Sequence, residues 1–131
     1  MWLASVVCAV ALLQANCSRP VASPTLDTSA SVTIEHEFSP EPIRVGSATI
    51  TLRLSDASGK PVTEAHIAIE TDMSHPGMSP GFAEAKEAEP GRYRAHLEFQ
   101  MAGDWVILLH VTLSDGKKLE RQFDVRGVRP N

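Results

Sequence analysis

The stretch 105-WVILLHVTLSDGKKLERQFDV-125 decides the fold. Every second residue from Trp105 to Leu113 is apolar, an alternation typical of a strand that is buried on one side. Asp115-Gly116 is a hairpin turn signal, and it leads into a second run marked by the apolar residues Leu119, Phe123 and Val125. The stretch therefore predicts two antiparallel strands joined by a tight turn.

The same period of two recurs upstream and predicts five more strands, and no segment has a convincing helical pattern. Turn-forming residues such as Ser55–Pro61 and Glu89-Pro90-Gly91 separate the runs. Seven short strands favour an all-β, immunoglobulin-like antiparallel β-sandwich, with a small barrel as the alternative. The five upstream runs are Val32–Phe38, Ala48–Leu54, Ala65–Ile69, Phe82–Ala88 (as a short edge strand) and Tyr93–Phe99.

The start of the chain predicts export. Trp2–Leu13 is an apolar run of about a dozen residues, which fits the core of a signal peptide and is short for a membrane span. Residues 1–17 are therefore predicted to be a leader. Cys17 would be lipidated if the leader is that of a lipoprotein, and the alternative is ordinary cleavage between Ala15 and Ala22. Residues 18–31 have the small, polar composition of a flexible linker, and residues 32–128 form one domain.

Composition excludes several function classes. The net charge is −4 and spread along the chain, whereas nucleic-acid binding needs a clustered basic face. Cys8 and Cys17 both fall in the leader, so the domain has no thiolate ligand, cysteine nucleophile or disulfide. The motifs of serine hydrolases, zinc proteases and phosphate-binding loops are not in the sequence. We expect a protein that is not an enzyme and has no second apolar segment able to cross a membrane.

The segment Met73-Ser-His-Pro-Gly-Met78 is the main candidate site. It holds two thioethers and the His75 imidazole within six positions of a chain that has four methionines. These are soft and borderline donors, a set that favours Cu(I). Met101 lies in the connection after the fifth strand, which leaves the sandwich in the same direction as the one after the third. We therefore predict a site of Met73, His75, Met78 and Met101. The alternative is that these methionines pack the core.

The histidines offer a weaker second candidate. His66 and His110 fall on the outward phase of their strands, which would be neighbours in one sheet, so their imidazoles could form a metal-binding pair. The alternative is two solvated surface histidines. His96 is also expected to point outward, and His36 to lie at the rim of the core beside Phe38.

Several motifs, taken in order, resemble the YtkA-like domain, which is related to FixH-like proteins. The resemblance covers about Glu41 to Val125. It implies an immunoglobulin-like sandwich in exported or membrane-attached bacterial proteins, often in copper-handling or cytochrome-oxidase-assembly contexts. The methionine-rich loop and the methionine before Gly103 and Trp105 carry over as Met73, Met78 and Met101. The motifs are Asp56 with Gly59-Lys60-Pro61-Val62 and Ala65, Met73–Met78, Pro90-Gly91-Arg92-Tyr93, and Met101–Trp105.

Two functions follow. In the first, this is a protein of the periplasm or cell envelope that binds or traffics copper through its Met/His loop, with efflux or oxidase-assembly proteins as partners. In the second, it is a non-catalytic immunoglobulin-like interaction module of an envelope assembly, and binds no metal.

Overall fold

The computed structural model describes residues 31–131, which form seven antiparallel strands. The prediction of an all-β fold with seven strands is confirmed. Within these residues no helix is long and apolar enough to cross a membrane. The predictions of a leader, a lipidated Cys17 and a linker fall on residues 1–31, and all but the last of these lie outside the described residues. The strands are β1 (Thr33–Ser39), β2 (Gly46–Ser55), β3 (His66–Met73), β4 (Gly81–Glu89), β5 (Arg92–Phe99), β6 (Gly103–Thr112) and β7 (Lys118–Val128).

The strands follow one another in the order β1-β2-β5-β4-β3-β6-β7 in a single curled sheet. The sheet has two halves, β1-β2-β5 and β3-β6-β7, and strand β4 joins them. The first part of β4, Gly81–Ala85, pairs with β3, and its last part, Lys86–Glu89, pairs with β5. The prediction of an edge strand here was wrong. Alternation of polar and apolar residues indicates which face a residue occupies, but it does not indicate how many neighbours a strand has.

The core lies between the inner faces of the two halves. Tyr93 and Phe99 are its largest fully buried side chains, and the Phe99 ring meets the Trp105 ring edge to face at 5.3 Å. Strands β2, β3, β5 and β6 each contribute every second residue, as the alternation predicts. Burying these side chains supplies the main driving force for folding, at about 25 cal/mol per Å² of apolar surface. The aliphatic members without solvent exposure are Ile50, Leu52, Leu54, Ile67, Ile107 and Leu109.

The two outermost strands, β1 and β7, approach each other through aromatic side chains. The imidazole of His36 stacks on the ring of Phe123 at 4.0 Å, nearly parallel, and Phe38 contacts both rings at an angle. His36 thus lies at the rim of the core. Residues 43–45 pair with the chain just after the end of β7. Val45 donates its backbone N–H to the carbonyl of Arg129.

Candidate functional site

Met73 is the last residue of β3, where it was expected to open a loop. The register pairs it with Trp105 of β6, and its side chain is buried. A Cβ added at Gly103 would lie 3.2 Å from the Met73 Cε, so the thioether methyl packs into space that a glycine leaves free. Met73 therefore belongs to the core at this end of the sandwich.

The loop 74–80 leaves the fold directly above Met73. Ser74 anchors its start, because the Ser74 Oγ donates a hydrogen bond of 3.2 Å to the backbone carbonyl of Asp104. His75 is exposed, and Met78 is half-buried against the core. The loop thus presents an accessible imidazole and a partly accessible thioether.

Met101 lies at the same end of the molecule. It sits between β5 and β6, two residues before the glycine that contacts Met73, and 50% of its surface is exposed. Its backbone carbonyl accepts a hydrogen bond of 3.1 Å from the Trp105 indole N–H. The prediction that the connections after the third and fifth strands share one end is confirmed, because β3 ends beside the start of β6.

The four predicted ligands therefore differ in access. His75 and Met101 are open to solvent, Met78 is half-buried and Met73 is enclosed. Every methionine of residues 31–131 is among them. Assembly of all four donors around one ion would require the loop to bring His75 and Met78 over the buried sulfur.

The two outward histidines are each engaged by glutamates. His66 pairs with Glu84 of β4. His110 contacts Glu120 through Nδ1 at 3.0 Å and Glu70 through Nε2 at 3.4 Å. They lie on neighbouring strands of one sheet, as predicted. Among the described residues, no three His, Cys, Asp or Glu side chains are arranged to hold a metal ion.

The surroundings of His110 raise its pKa above 6.5. The main cause is the hydrogen bond to Glu120, followed by the one to Glu70, and partial desolvation opposes both. Because the folded pKa exceeds the unfolded one, this interaction stabilises the fold fully below pH 6.5, and the stabilisation is lost as the pH rises through the folded pKa.

We expect an NMR titration of the His110 imidazole to give a midpoint above 6.5. In Glu120→Gln the midpoint should fall, since a neutral amide favours the imidazolium less than a carboxylate does. Glu70→Gln is the matched comparison and should lower it by less. Equal midpoints in all three proteins would show that neither carboxylate acts on this ring.

The sequence predicts Tyr93 as a core residue but does not indicate the role of its hydroxyl. The hydroxyl donates to the carbonyl of Val62 at 2.9 Å and accepts from the N–H of Ala65 at 3.0 Å, which ties the β2–β3 connection to β5. Burial, with a smaller contribution from Glu87, raises its pKa to about 12. The hydroxyl therefore has a structural role. The sequence carries one sign of it: the single tyrosine of the chain stands at an inward-facing position of a strand.

Three solved structures are similar to this fold. The C-terminal domain of ZirS is similar over 95% of this chain and 86% of its own length, with 20% identity and a TM-score of 0.51. The PmoD soluble domain from a Methylocystis species matches 76% of this chain and 92% of its own length, with 15% identity and a TM-score of 0.48. CopC from Methylosinus trichosporium OB3b matches 76% of this chain and 94% of its own, with 24% identity and a TM-score of 0.47.

At the level of sequence, no curated protein gave a significant match. A family model did: that of the YtkA-like family matches residues 27–110. This range includes β1–β5, the Met/His loop, Met101 and most of β6. It is the family whose motifs the sequence resembles, and the chain belongs to the YtkA-like family.

Proposed function

We propose that this protein binds Cu(I) at the end of the sandwich, with Met78, Met101 and His75 as the accessible ligands and Met73 as the inner one. The observation that carries the proposal is the placement of every methionine of residues 31–131 at one end of the fold, beside an exposed histidine. Thioether sulfur and imidazole form a donor set that favours Cu(I) over harder ions.

The proposed role is binding and transfer of copper in the cell envelope, without catalysis. Loop-borne ligands suit exchange with a partner, because the loop 74–80 is anchored mainly at its start and its donors could be replaced one at a time. An efflux or oxidase-assembly protein is the proposed class of partner. Export through the leader, and membrane attachment through a lipidated Cys17, belong to the same proposal.

Titration with Cu(I) against a competing chelator tests the site. We expect stoichiometric binding by the wild-type protein. The double variant Met78→Leu/Met101→Leu should bind at least about a hundredfold more weakly, at roughly tenfold, or 1.4 kcal/mol, per lost ligand. Leucine keeps the size and apolar character of methionine, so the variant should unfold at nearly the same urea concentration.

Met73 needs a variant of its own because it has a packing role. Met73→Ala would open a cavity, for which about 2–5 kcal/mol of stability is typically lost, so a loss of binding could reflect unfolding. Met73→Leu removes the sulfur and keeps the volume. A wild-type protein that fails to bind copper at micromolar concentrations would refute the proposed function and favour an interaction module without metal.

Binding should also depend on pH through the imidazole. Thioethers do not take up protons, whereas an imidazole must be neutral to bind a metal ion. We expect the wild-type affinity to fall as the pH is lowered, because protons compete with the metal ion for the imidazole. The fall should disappear in His75→Ala and persist in His96→Ala, a control on β5 in the other half of the sheet. Parallel curves for the two variants would remove His75 from the site.

A further inference from the structure

The outer face of β4, β3, β6 and β7 has an unusual composition in three consecutive cross-strand rows. We call these eleven positions the acidic face. They include five carboxylates and four apolar residues, and no lysine or arginine. The rows are Asp72, Val106 and Asp124; Phe82, Glu70, Leu108 and Gln122; and Glu84, Ala68, His110 and Glu120.

The carboxylates of the acidic face have few fixed cations nearby. Arg126 lies 3.7 Å from Asp124, and the other ion pairs on this face in the described residues use His66 and His110. The face therefore has an excess of negative charge that this chain itself does not balance.

The outer face of the other half is built differently. There Arg53 pairs with Glu35 and Arg92 with Glu89, and Arg53 and Arg92 are direct cross-strand neighbours. The sequence thus places arginines among the acids on one outer face, whereas on the other Lys118 and Arg126 lie just beyond the three rows of the acidic face. The contrast indicates that the charge of the acidic face is not a general property of the surface.

The same face exposes apolar surface at its centre. Phe82 is 76% exposed although it lies in a regular strand, and it is the most exposed large apolar side chain of the described residues. Leu108 is half-buried in the same row, with Glu70 between the two, and Val106 lies in the next row. An apolar patch with a charged rim is typical of a surface that contacts another protein.

We propose that the acidic face docks a basic protein segment, with an apolar anchor of that segment on Phe82 and Leu108 and its lysine or arginine side chains against the surrounding carboxylates. A second copy of this chain is a poorer fit, because a two-fold contact through this face would place like charges together. An anionic membrane surface would be repelled for the same reason. Asp72 directly precedes Met73, so a docked partner would lie next to the Met/His loop, but docking needs no metal.

The probe is a synthetic amphipathic helix of leucine and lysine, about 18 residues or five turns long, added to metal-free, isotopically labelled protein. We expect NMR shift changes to concentrate in β3, β4, β6 and β7. Phe82→Ser should weaken binding at least about tenfold, as for a central anchor of an interface, and Glu70→Gln/Asp72→Asn should do the same. A peptide with glutamate in place of lysine should not bind.

The matched control is Glu37→Gln/Glu98→Gln, which removes the same charge from the outer face of the other half. We expect it to change the affinity by less than about twofold, since screening weakens distant surface charges. An equal loss in control and test variants would overturn the proposal, because the attraction would then come from net charge alone. Shift changes spread over both halves, or a dimer in sedimentation that Phe82→Ser dissociates, would overturn it as well.

Discussion

Tyr93→Phe is expected to lower the free energy of unfolding by about 2 kcal/mol. The change removes one oxygen atom and keeps the fully buried ring. It leaves the N–H of Ala65 and the carbonyl of Val62 without their partner, and an unpaired buried polar group typically costs about 1–3 kcal/mol. For a domain of this size we expect the melting temperature to fall by roughly 10 °C. Urea denaturation of the two proteins measures the difference.

A second measurement separates the hydroxyl from general loosening of the fold. The chain contains a single tyrosine, so the absorbance of tyrosinate reports on this residue alone. We expect the hydroxyl to titrate at about 12 in the folded protein, and near 10 in urea, as in model peptides. A midpoint near 10 in protein that is still folded would show that the hydroxyl is free, and would contradict the assigned hydrogen bonds.

The same shift makes stability depend on alkaline pH. The folded pKa of Tyr93 lies above the unfolded value, so its contribution is complete below about pH 10. It is lost as the pH rises through about 12. The difference in stability between the wild-type protein and Tyr93→Phe should therefore shrink across this range. A constant difference would mean that the hydroxyl ionises equally easily in both states.

The fold could be predicted from the sequence because alternation is a local property. Each of the seven predicted runs coincides with one strand, and only Val32, Ala65 and Leu113 fall one residue outside. The outward positions of His66 and His110 follow from the same period of two. The neighbours of β4 could not be predicted in this way, since pairing depends on long-range geometry. The pairing of His66 with Glu84 and of His110 with Glu120 could not be predicted for the same reason. The two glutamates come from β4 and β7, the strands on either side of the two that carry the histidines.

The candidate site was predicted in outline only. Its ligands share one end of the fold because strands alternate in direction, which the sequence indicates. Their unequal access was not predicted. Met73 continues the buried phase of Ile67 and Ile69, so it belongs to β3, and the space for its methyl depends on the side chain that Gly103 lacks. A missing side chain gives no sequence signal of what will occupy the space.

Gly91→Ala is expected to destabilise the protein by about 3 kcal/mol. Gly91 has φ of +74° in the β4–β5 turn, a conformation in which residues other than glycine are strained by about 1–3 kcal/mol. Its N–H donates to Glu87 and its carbonyl accepts from the N–H of Leu54, so the turn is fixed at both ends. An added Cβ would lie 2.6 Å from the Cβ of Pro61, and relieving such overpacking costs about 1–3 kcal/mol more.

Gly116→Ala separates the two causes. Gly116 has a similar φ of +86°, in the turn between β6 and β7, but an added Cβ there would meet no atom within 4 Å. We therefore expect it to lose only the conformational part, about 1 kcal/mol. Equal losses in the two variants, measured by urea denaturation, would show that the contact with Pro61 is relieved without cost.

A double-mutant cycle then assigns the excess to a specific pair. Pro61→Gly removes the Cβ that the new methyl would meet, so Gly91→Ala should cost less in that background than in the wild type. The relief should be partial, because the Cα of Pro61 and the carbonyl oxygen of Leu54 would still lie 3.0 Å from the added atom. A coupling energy near zero would place the cost in the turn itself. A clear coupling would show that position 91 requires glycine because the β4–β5 turn packs against the β2–β3 connection. The Tyr93 hydroxyl fixes the same connection from β5, the strand that follows the turn.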